Sequence, residues 1–309
     1  MRHFVLFFLV VTIAWGCSDG GQDTSAGIAD RVILVTGATG TQGGAVAREL
    51  LDRGYPVRGL TRNTESDRAR AMTRLGVEMV QGDFDDSPSL AAAMEGVYGA
   101  FAVTDFWEHG YDTEVRHGMQ LVDAALTAGV QHFVFTSVAG ADENTGIPHF
   151  DSKAEIEAHL RDSGINFSIV RPVEFMDNVR YRSEITVSGT FSDPRDPGRS
   201  HQWIAARDIG FFVGEAFDSP DEWIGRTLEI AGDQLTIAQF VDVLSRAVGD
   251  AIQHRQVSWG AFQEQNGEET AAMVRWFDES GYDADVSSLR SLYPNLLTYE
   301  EYLQTLNWE

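Results

Sequence analysis

A run of β-branched residues leads directly into a loop with a glycine at every third position, and this junction constrains the fold more than any other part of the chain. The run is Arg31–Thr36 (RVILVT), and the glycines are Gly37, Gly40 and Gly43. Such a run predicts a buried strand, and residues 43–53 carry Ala, Val and Leu at helical spacing. The sequence therefore predicts a strand, a tight turn and a helix in immediate succession.

Strand-like and helix-like segments go on alternating as far as residue 171. Strands that alternate with helices form a parallel sheet covered on both faces, and right-handed crossovers make that sheet doubly wound. The predicted fold class is α/β, a Rossmann-type doubly wound parallel sheet. The strands are expected at 55–61, 77–81, 98–103, 132–136 and 167–171, and the helices at 66–75, 87–94, 112–128 and 152–163.

The pattern loosens beyond the last of these strands. Residues 190–200 are turn-rich, 226–230 form a late strand and 236–248 form an amphipathic helix. We expect a Rossmann domain at 31–180 and a smaller C-terminal α+β lobe at 181–309. Ligands of doubly wound sheets bind at the carboxyl ends of the strands, so the lobe is expected to close a cofactor and substrate cleft there.

The N-terminus has the features of an export signal. Arg2 precedes the apolar run Phe4–Ala14, which is shorter than the about 17–25 residues that a transmembrane helix needs. Cys17, the only cysteine, follows this run and precedes a stretch rich in Gly, Ser and Asp. We predict a lipoprotein-like signal peptide at 1–17, lipidated at Cys17, and a flexible linker at 18–30.

These features predict a membrane-anchored lipoprotein of the cell envelope. A wrongly chosen start codon or a plain membrane anchor explains the same residues, and with a misplaced start the protein is expected in the cytoplasm. Because the chain has a single cysteine, it has no disulfide framework that would indicate its compartment.

The charge balance excludes one class of partner and singles out one residue. Lys+Arg number 23 against 47 for Asp+Glu, a formal net charge of −24, and no basic cluster offsets it. Such a surface repels a phosphate backbone, so no nucleic-acid partner is expected. We also expect no metal site. Lys153 is the only lysine. Every other cationic side chain is an arginine, so Lys153 indicates a site that needs a compact ammonium group rather than a guanidinium. The alternative is that this lysine has been retained by chance.

The glycine loop is typical of a dinucleotide-binding site. Its glycines allow a tight turn and close approach of the backbone to a pyrophosphate, and the helix N-terminus adds N–H groups and a positive dipole. A purely structural turn is the alternative. At the tip of the second strand an NAD site usually carries an acidic residue, but this chain has Arg62. A guanidinium binds a 2′-phosphate, so NADP(H) is expected and NAD(H) less so, unless Arg62 is merely an exposed loop residue.

Five sequence blocks follow one another in a familiar order: GATGTQGGAVARELL, VRGLTRN, VQGDFDD, FAVTDFWE and HFDSKAEIEAHLRDSGINFSIVRP. Together they resemble the NmrA-like proteins, which are atypical short-chain dehydrogenases/reductases, over roughly residues 31–245. The likeness is strongest to the redox-sensor branch, whose members bind NADP(H). The resemblance therefore implies NADP(H) as the cofactor.

The resemblance also implies which residues contact the phosphates and the adenine. Arg62, followed by Asn63, would lie at the 2′-phosphate, and Asp83 and Phe84 would lie beside the adenine. The pyrophosphate would lie on Gly37, Ala38, Thr39, Gly40, Thr41, Gln42 and Gly43.

At the other end of the cofactor, the resemblance places Thr104 and Phe106 along the nicotinamide. Lys153 would hold the nicotinamide ribose. The pocket would be closed by Phe175, Met176, Asp177 and Asn178.

The candidate catalytic residues are Ser137, His149 and Lys153. Short-chain reductases typically use a Ser and a Tyr four residues before a Lys, which lowers the pKa of the tyrosine. His149 occupies the tyrosine position. A neighbouring ammonium disfavours the imidazolium, so His149 is expected to be neutral and a weaker proton donor, or only a hydrogen-bonding partner.

These residues predict an NADP(H)-binding redox sensor or weak oxidoreductase. The alternative is an NADPH-dependent reductase of small quinone or carbonyl acceptors. A dinucleotide is the expected partner, with either a small-molecule acceptor or an unidentified protein beside it.

Overall fold

The computed structural model describes residues 27–181, 185 and 188–306. The expected signal peptide at 1–17, with Cys17, lies outside the described residues. The strands are β1 (Ile33–Val35), β2 (Val57–Thr61), β3 (Glu78–Gln81), β4 (Gly99–Ala102), β5 (His132–Thr136), β6 (Phe167–Pro172), β7 (Glu174–Phe175), β8 (Thr190–Asp193), β9 (Ser200–Ile204), β10 (Thr227–Ile230), β11 (Asp233–Thr236) and β12 (Gln253–Gln256).

The helices vary widely in length, and a 3₁₀ helix spans Met176–Tyr181. Within the described part of the chain, every helix is too short or too polar to cross a bilayer. The helices are α1 (Thr41–Asp52), α2 (Asp67–Leu75), α3 (Ser87–Met94), α4 (Phe106–His109), α5 (Tyr111–Ala128), α6 (Pro148–Asp162), α7 (Ala206–Asp218), α8 (Pro220–Trp223), α9 (Ile237–Val248), α10 (Trp259–Asn266), α11 (Glu268–Glu279), α12 (Val286–Leu292) and α13 (Tyr299–Gln304).

Seven strands form the central sheet in the order β10-β6-β5-β4-β1-β2-β3, and all neighbouring pairs are parallel. This result confirms the predicted doubly wound α/β fold. The order reverses between β1 and β4, and ligands of such sheets bind at this point. Alternate residues of β1 point to opposite faces, because Ile33 and Val35 pack with α1 and α7, whereas Leu34 packs with α3, α5 and α6.

The expectation assigned all of residues 181–309 to the smaller lobe, but part of this segment packs with the central sheet. Helix α7 packs against α1, and β10 extends the central sheet by pairing with β6, so residues 206–230 belong to the large domain. A β-carbon on Gly210 would lie 3.0 Å from the Ala45 carbonyl oxygen, so this glycine allows the two helices to pack closely. Such pairing between distant segments leaves no local pattern in the sequence.

The smaller lobe consists of the remaining C-terminal segments. It contains a three-stranded sheet, β11-β9-β7, and a two-stranded sheet, β12-β8. Its core includes Phe240 stacked on Trp203 and on Tyr299, at ring-centroid distances of 5.0 and 4.2 Å. The predicted helix at 236–248 is α9, and part of the turn-rich segment at 190–200 forms β8.

One helix boundary matters for the site. The sequence predicts a helix at 152–163, but α6 begins at Pro148, which occupies its first turn. Proline suits this position because its missing N–H has no partner within the helix. His149 and Lys153 therefore lie one turn apart on the same helix.

Candidate functional site

The glycine loop after β1 is packed so tightly that larger residues do not fit. Gly37 has a φ of +61°, and a β-carbon there would lie 2.7 Å from Val103 Cγ1. A β-carbon on Gly43 would lie 2.4 Å from the Gly37 carbonyl oxygen, and the Gly40 N–H donates to the same oxygen at 2.8 Å. The first turn of α1 therefore lies directly against the loop, at the carboxyl end of β1.

The start of α1 is open toward the edge of the sheet. Its N-cap is Gly40, so no side chain in the described part of the chain caps this helix. The positive end of the helix dipole and the first-turn amides suit an anion such as a pyrophosphate. Gln42 Nε2 donates to Thr136 Oγ1 at 2.6 Å and joins α1 to the end of β5, whereas Ala38 is buried in the core.

The residues expected at the adenosine end follow β2 and β3. Arg62 is 61% exposed and pairs with Glu108 of α4 at 2.9 Å. Asn63 Oδ1 accepts a hydrogen bond from the Glu65 N–H at 2.9 Å and fixes the turn after β2. Both residues follow β2, which is the neighbour of β1 in the central sheet.

The loop after β3 is held by its own hydrogen bonds. Asp83 Oδ1 accepts from the Asp85 N–H at 3.0 Å, and the Asp83 N–H donates to Ser89 Oγ at 3.0 Å. The Phe84 ring packs edge-on against His117, with 5.3 Å between ring centroids. Asp83 itself is exposed.

Lys153 lies in a buried polar cluster. Its Nζ donates to Glu114 Oε1 at 2.7 Å and to Thr104 Oγ1 at 2.6 Å, and Ser152 Oγ donates to the other Glu114 oxygen. Burial raises the pKa of Glu114, but the Lys153 charge and these hydrogen bonds outweigh burial and hold that pKa below its usual value. Glu114 is therefore ionised and neutralises the lysine charge.

Sequence reasoning missed Glu114, although the sequence carries a signal for it. The buried face of α5 includes Glu114, Gly118, Leu121 and Ala125, at the i, i+4, i+7 and i+11 spacing of an apolar helix face. A carboxylate is rarely buried without a partner, so its position in an apolar stripe indicates a cation on the facing element.

His149 lies beside this cluster in an aromatic environment. Its ring packs near Phe106, Trp107 and Phe150, with centroid distances of 5.4, 5.3 and 5.6 Å. Burial, and then the Lys153 charge, lower the pKa of His149 to about 4. The imidazole is therefore neutral near pH 7, and its Nδ1 is buried without a hydrogen-bond partner among the described residues.

A single cavity of about 820 Å³ brings the three candidate catalytic residues together. Ser137, His149 and Lys153 line it at the carboxyl ends of the strands, together with Gln42 and Thr104. The Ser137 Oγ is buried and has no partner in the described part of the chain. The cavity extends from there to the wall formed by the smaller lobe.

The four residues expected to close the pocket have two different environments. Phe175 and Asn178 line the cavity. Met176 is buried in the core of the smaller lobe, and Asp177 Oδ2 accepts a hydrogen bond from the Ala206 N–H at 2.9 Å, so it fixes the start of α7. These last two side chains are not among the residues that line the cavity.

Comparison with known proteins gives consistent matches over nearly the whole chain. The NmrA-like family model matches residues 29–303. An NmrA-like family domain-containing protein of Dictyostelium discoideum is 29% identical over 301 residues, 90% of this chain and 98% of that protein. An NAD(P)H azoreductase of Xenophilus azovorans is 32% identical over 225 residues, 72% of this chain and 76% of that enzyme.

Solved structures show the same architecture. NmrA, a negative transcriptional regulator crystallised with NAD, superposes with a TM-score of 0.76 at 21% identity, covering 90% of this chain and 99% of NmrA. The NADPH-dependent quinone oxidoreductase of Escherichia coli, crystallised with NADPH, superposes with a TM-score of 0.75 at 22% identity, covering 88% and 98%. At these identities the comparisons confirm the fold.

Proposed function

The chain belongs to the NmrA-like family, and we propose that it binds NADP(H) at the glycine loop and acts as a redox sensor or weak oxidoreductase. Dinucleotide binding is supported by its relatives and structural neighbours, which include an NAD(P)H azoreductase and NmrA bound to NAD or NADP. It is also supported by the tight fit at Gly43 and Gly37, where a β-carbon would collide with backbone or with Val103.

The preference for NADP(H) over NAD(H) depends on Arg62. This guanidinium is exposed after β2, and residues 60–64 (LTRNT) contain no carboxylate for a ribose 2′-hydroxyl. Lys153 and the unpartnered Ser137 Oγ would face the nicotinamide ribose and ring from the floor of the cavity.

The observation that supports sensing or weak turnover is that the His149 imidazole is neutral. A bound NADPH supplies a hydride, and a carbonyl acceptor also needs a proton from a nearby acid. The pKa of His149 is lowered to about 4, so near pH 7 only a neutral imidazole stands at the tyrosine position. Glu114 also cancels the Lys153 charge, so the lysine cannot activate a neighbouring acid strongly.

A reductase of quinone-like acceptors is the second candidate. The cavity, of about 820 Å³, continues past His149 into the smaller lobe and leaves room for a second molecule beside the nicotinamide. Quinones suit the site better than aldehydes, because a reduced quinone can take its proton from water.

Steady-state NADPH oxidation with a quinone and with an aldehyde tests both candidates. We expect slow turnover or none with aldehydes, faster turnover with quinones, and little change in either for His149→Phe. Lys153→Met is expected to weaken cofactor binding together with any turnover. Rapid aldehyde reduction by the wild type that disappears in His149→Phe would show that His149 is an acid catalyst and would refute the sensor interpretation.

We also propose attachment to the membrane through lipid on Cys17. The supporting observations are the basic Arg2, the short apolar run Phe4–Ala14 and the single cysteine after it.

A further inference from the structure

The cavity wall carries a positive charge that the dinucleotide site does not use. The ionised side chains described on this wall are Lys153, Glu174 and Arg255. Lys153 pairs with Glu114 at 2.7 Å, and Glu174 shares Arg195 with Asp193, at 2.8 and 2.9 Å, so both side chains already have partners of opposite charge. Arg255 pairs with no carboxylate among the described residues. Arg255 is therefore the cation on the described wall that has no carboxylate partner, within a chain whose net charge is −24.

Arg255 is held in place by a neutral group. It lies on β12 opposite Ser192 of β8, and its Nε and Nη2 donate to Ser192 Oγ at 3.2 and 2.9 Å. A hydroxyl positions the guanidinium without cancelling its charge. The planar fork of a guanidinium matches the oxygens of a carboxylate or a sulfonate, with which it forms short, charge-assisted hydrogen bonds.

The smaller lobe also contributes large apolar side chains to the wall. Phe191, Phe262, Met273 and Phe277 line it, and they belong to β8, α10 and α11 of the smaller lobe. Aromatic faces and a flexible thioether suit a flat aromatic ring. The wall therefore combines surfaces for an aromatic body with one group for an anion.

We propose that the acceptor is a planar aromatic molecule with one anionic group, and that Arg255 binds this group while the reducible ring lies toward His149. This inference rests on the proposed function, because it assigns the acceptor of the same cavity. For a quinone of this class, the ring accepts the hydride of NADPH and takes one proton from water, which yields the hydroquinone and NADP⁺. Arg255 would then be a specificity-determining residue.

Two anthraquinones that differ in one substituent test the proposal. Binding of anthraquinone-2-sulfonate and of the neutral 2-(hydroxymethyl)anthraquinone to the full chain is measured by tryptophan fluorescence quenching, with and without NADP⁺. Arg255→Met is expected to weaken binding of the sulfonate roughly tenfold to hundredfold and to leave binding of the neutral quinone unchanged. Arg255→Lys should restore part of the loss.

Arg275→Met is the matched control, because Arg275 stacks on Trp259 of the same lobe and lies off the cavity wall. It should change neither quinone's affinity. Equal losses for both quinones in Arg255→Met, or no loss at all, would overturn the proposal, and so would a weaker affinity for NADPH, which would place Arg255 against the cofactor. If the wild type bound the sulfonate through Arg255 but failed to bind NADPH, the proposed function would fall and the anion site would stand.

Discussion

Replacing Arg62 by serine is expected to remove most of the preference for NADP(H) over NAD(H). In the structure, Arg62 is 61% exposed and Glu108, its partner at 2.9 Å, is 47% exposed. Binding of a 2′-phosphate exchanges this carboxylate for a doubly charged oxyanion. The free energy that favours NADPH over NADH is therefore the free energy gained at the phosphate minus the free energy lost when the Arg62–Glu108 pair breaks.

The magnitude follows from the exposure of both groups. An exposed ion pair contributes about 0.2–1 kcal/mol, and a charge-assisted hydrogen bond contributes about 1.5–3 kcal/mol. The difference is roughly 1–2 kcal/mol, which corresponds to about a 5- to 30-fold preference for NADPH over NADH. Glu108→Gln removes the competing partner, so it should tighten NADPH binding by up to about fivefold and leave NADH binding unchanged.

The assay is the ratio of the NADH and NADPH dissociation constants, measured by calorimetric titration of the wild type, Arg62→Ser and Glu108→Gln at one ionic strength. Arg74→Ser, on α2, removes the same charge from an exposed position and serves as the control. Equal affinity of the wild type for both cofactors, or an unchanged ratio in Arg62→Ser, would refute the reasoning. A ratio that falls equally in Arg74→Ser would indicate only a general charge effect.

Further expectations concern the loop, the buried histidine and the N-terminus. Gly43→Ala should reduce NADPH affinity more than tenfold, because its β-carbon would lie 2.4 Å from backbone oxygen. Gly44→Ala should have a smaller effect in the same titration, because its β-carbon would lie 3.2 Å from the Ala38 carbonyl oxygen. The pKa of His149 is about 4 when folded and near 6.5 when unfolded, so stability should fall as pH drops from 7 to 5, by about 2 kcal/mol from this group. Urea unfolding should show a smaller loss for His149→Phe, and an equal loss would contradict the assignment. Cys17→Ser should release the protein from the membrane fraction and abolish labelling with a fatty acid, whereas a wild type that is already soluble and unlabelled would disprove lipidation.

Local patterns in the sequence were sufficient to predict the fold class and the glycine loop. The apolar run before Gly37 and the spacing of Gly40 and Gly43 predict a strand, a turn and a helix, since each depends on residues close together in the chain. Composition singled out Lys153 as the only lysine, and the reductase pattern added His149; α6 places both in one cavity with Ser137. The contacts of these residues with NADP(H) stay predictions.

Only the tertiary structure decided which groups neutralise one another. Glu114 is separated from Lys153 by most of α5, β5 and the start of α6, and folding alone brings them to 2.7 Å. Folding also returns β10 to the edge of the central sheet and brings Arg255 to the same cavity as His149. A sequence pattern reports local conformation and which face is apolar, whereas the charge of a site depends on partners from distant segments, and burial makes that dependence strong.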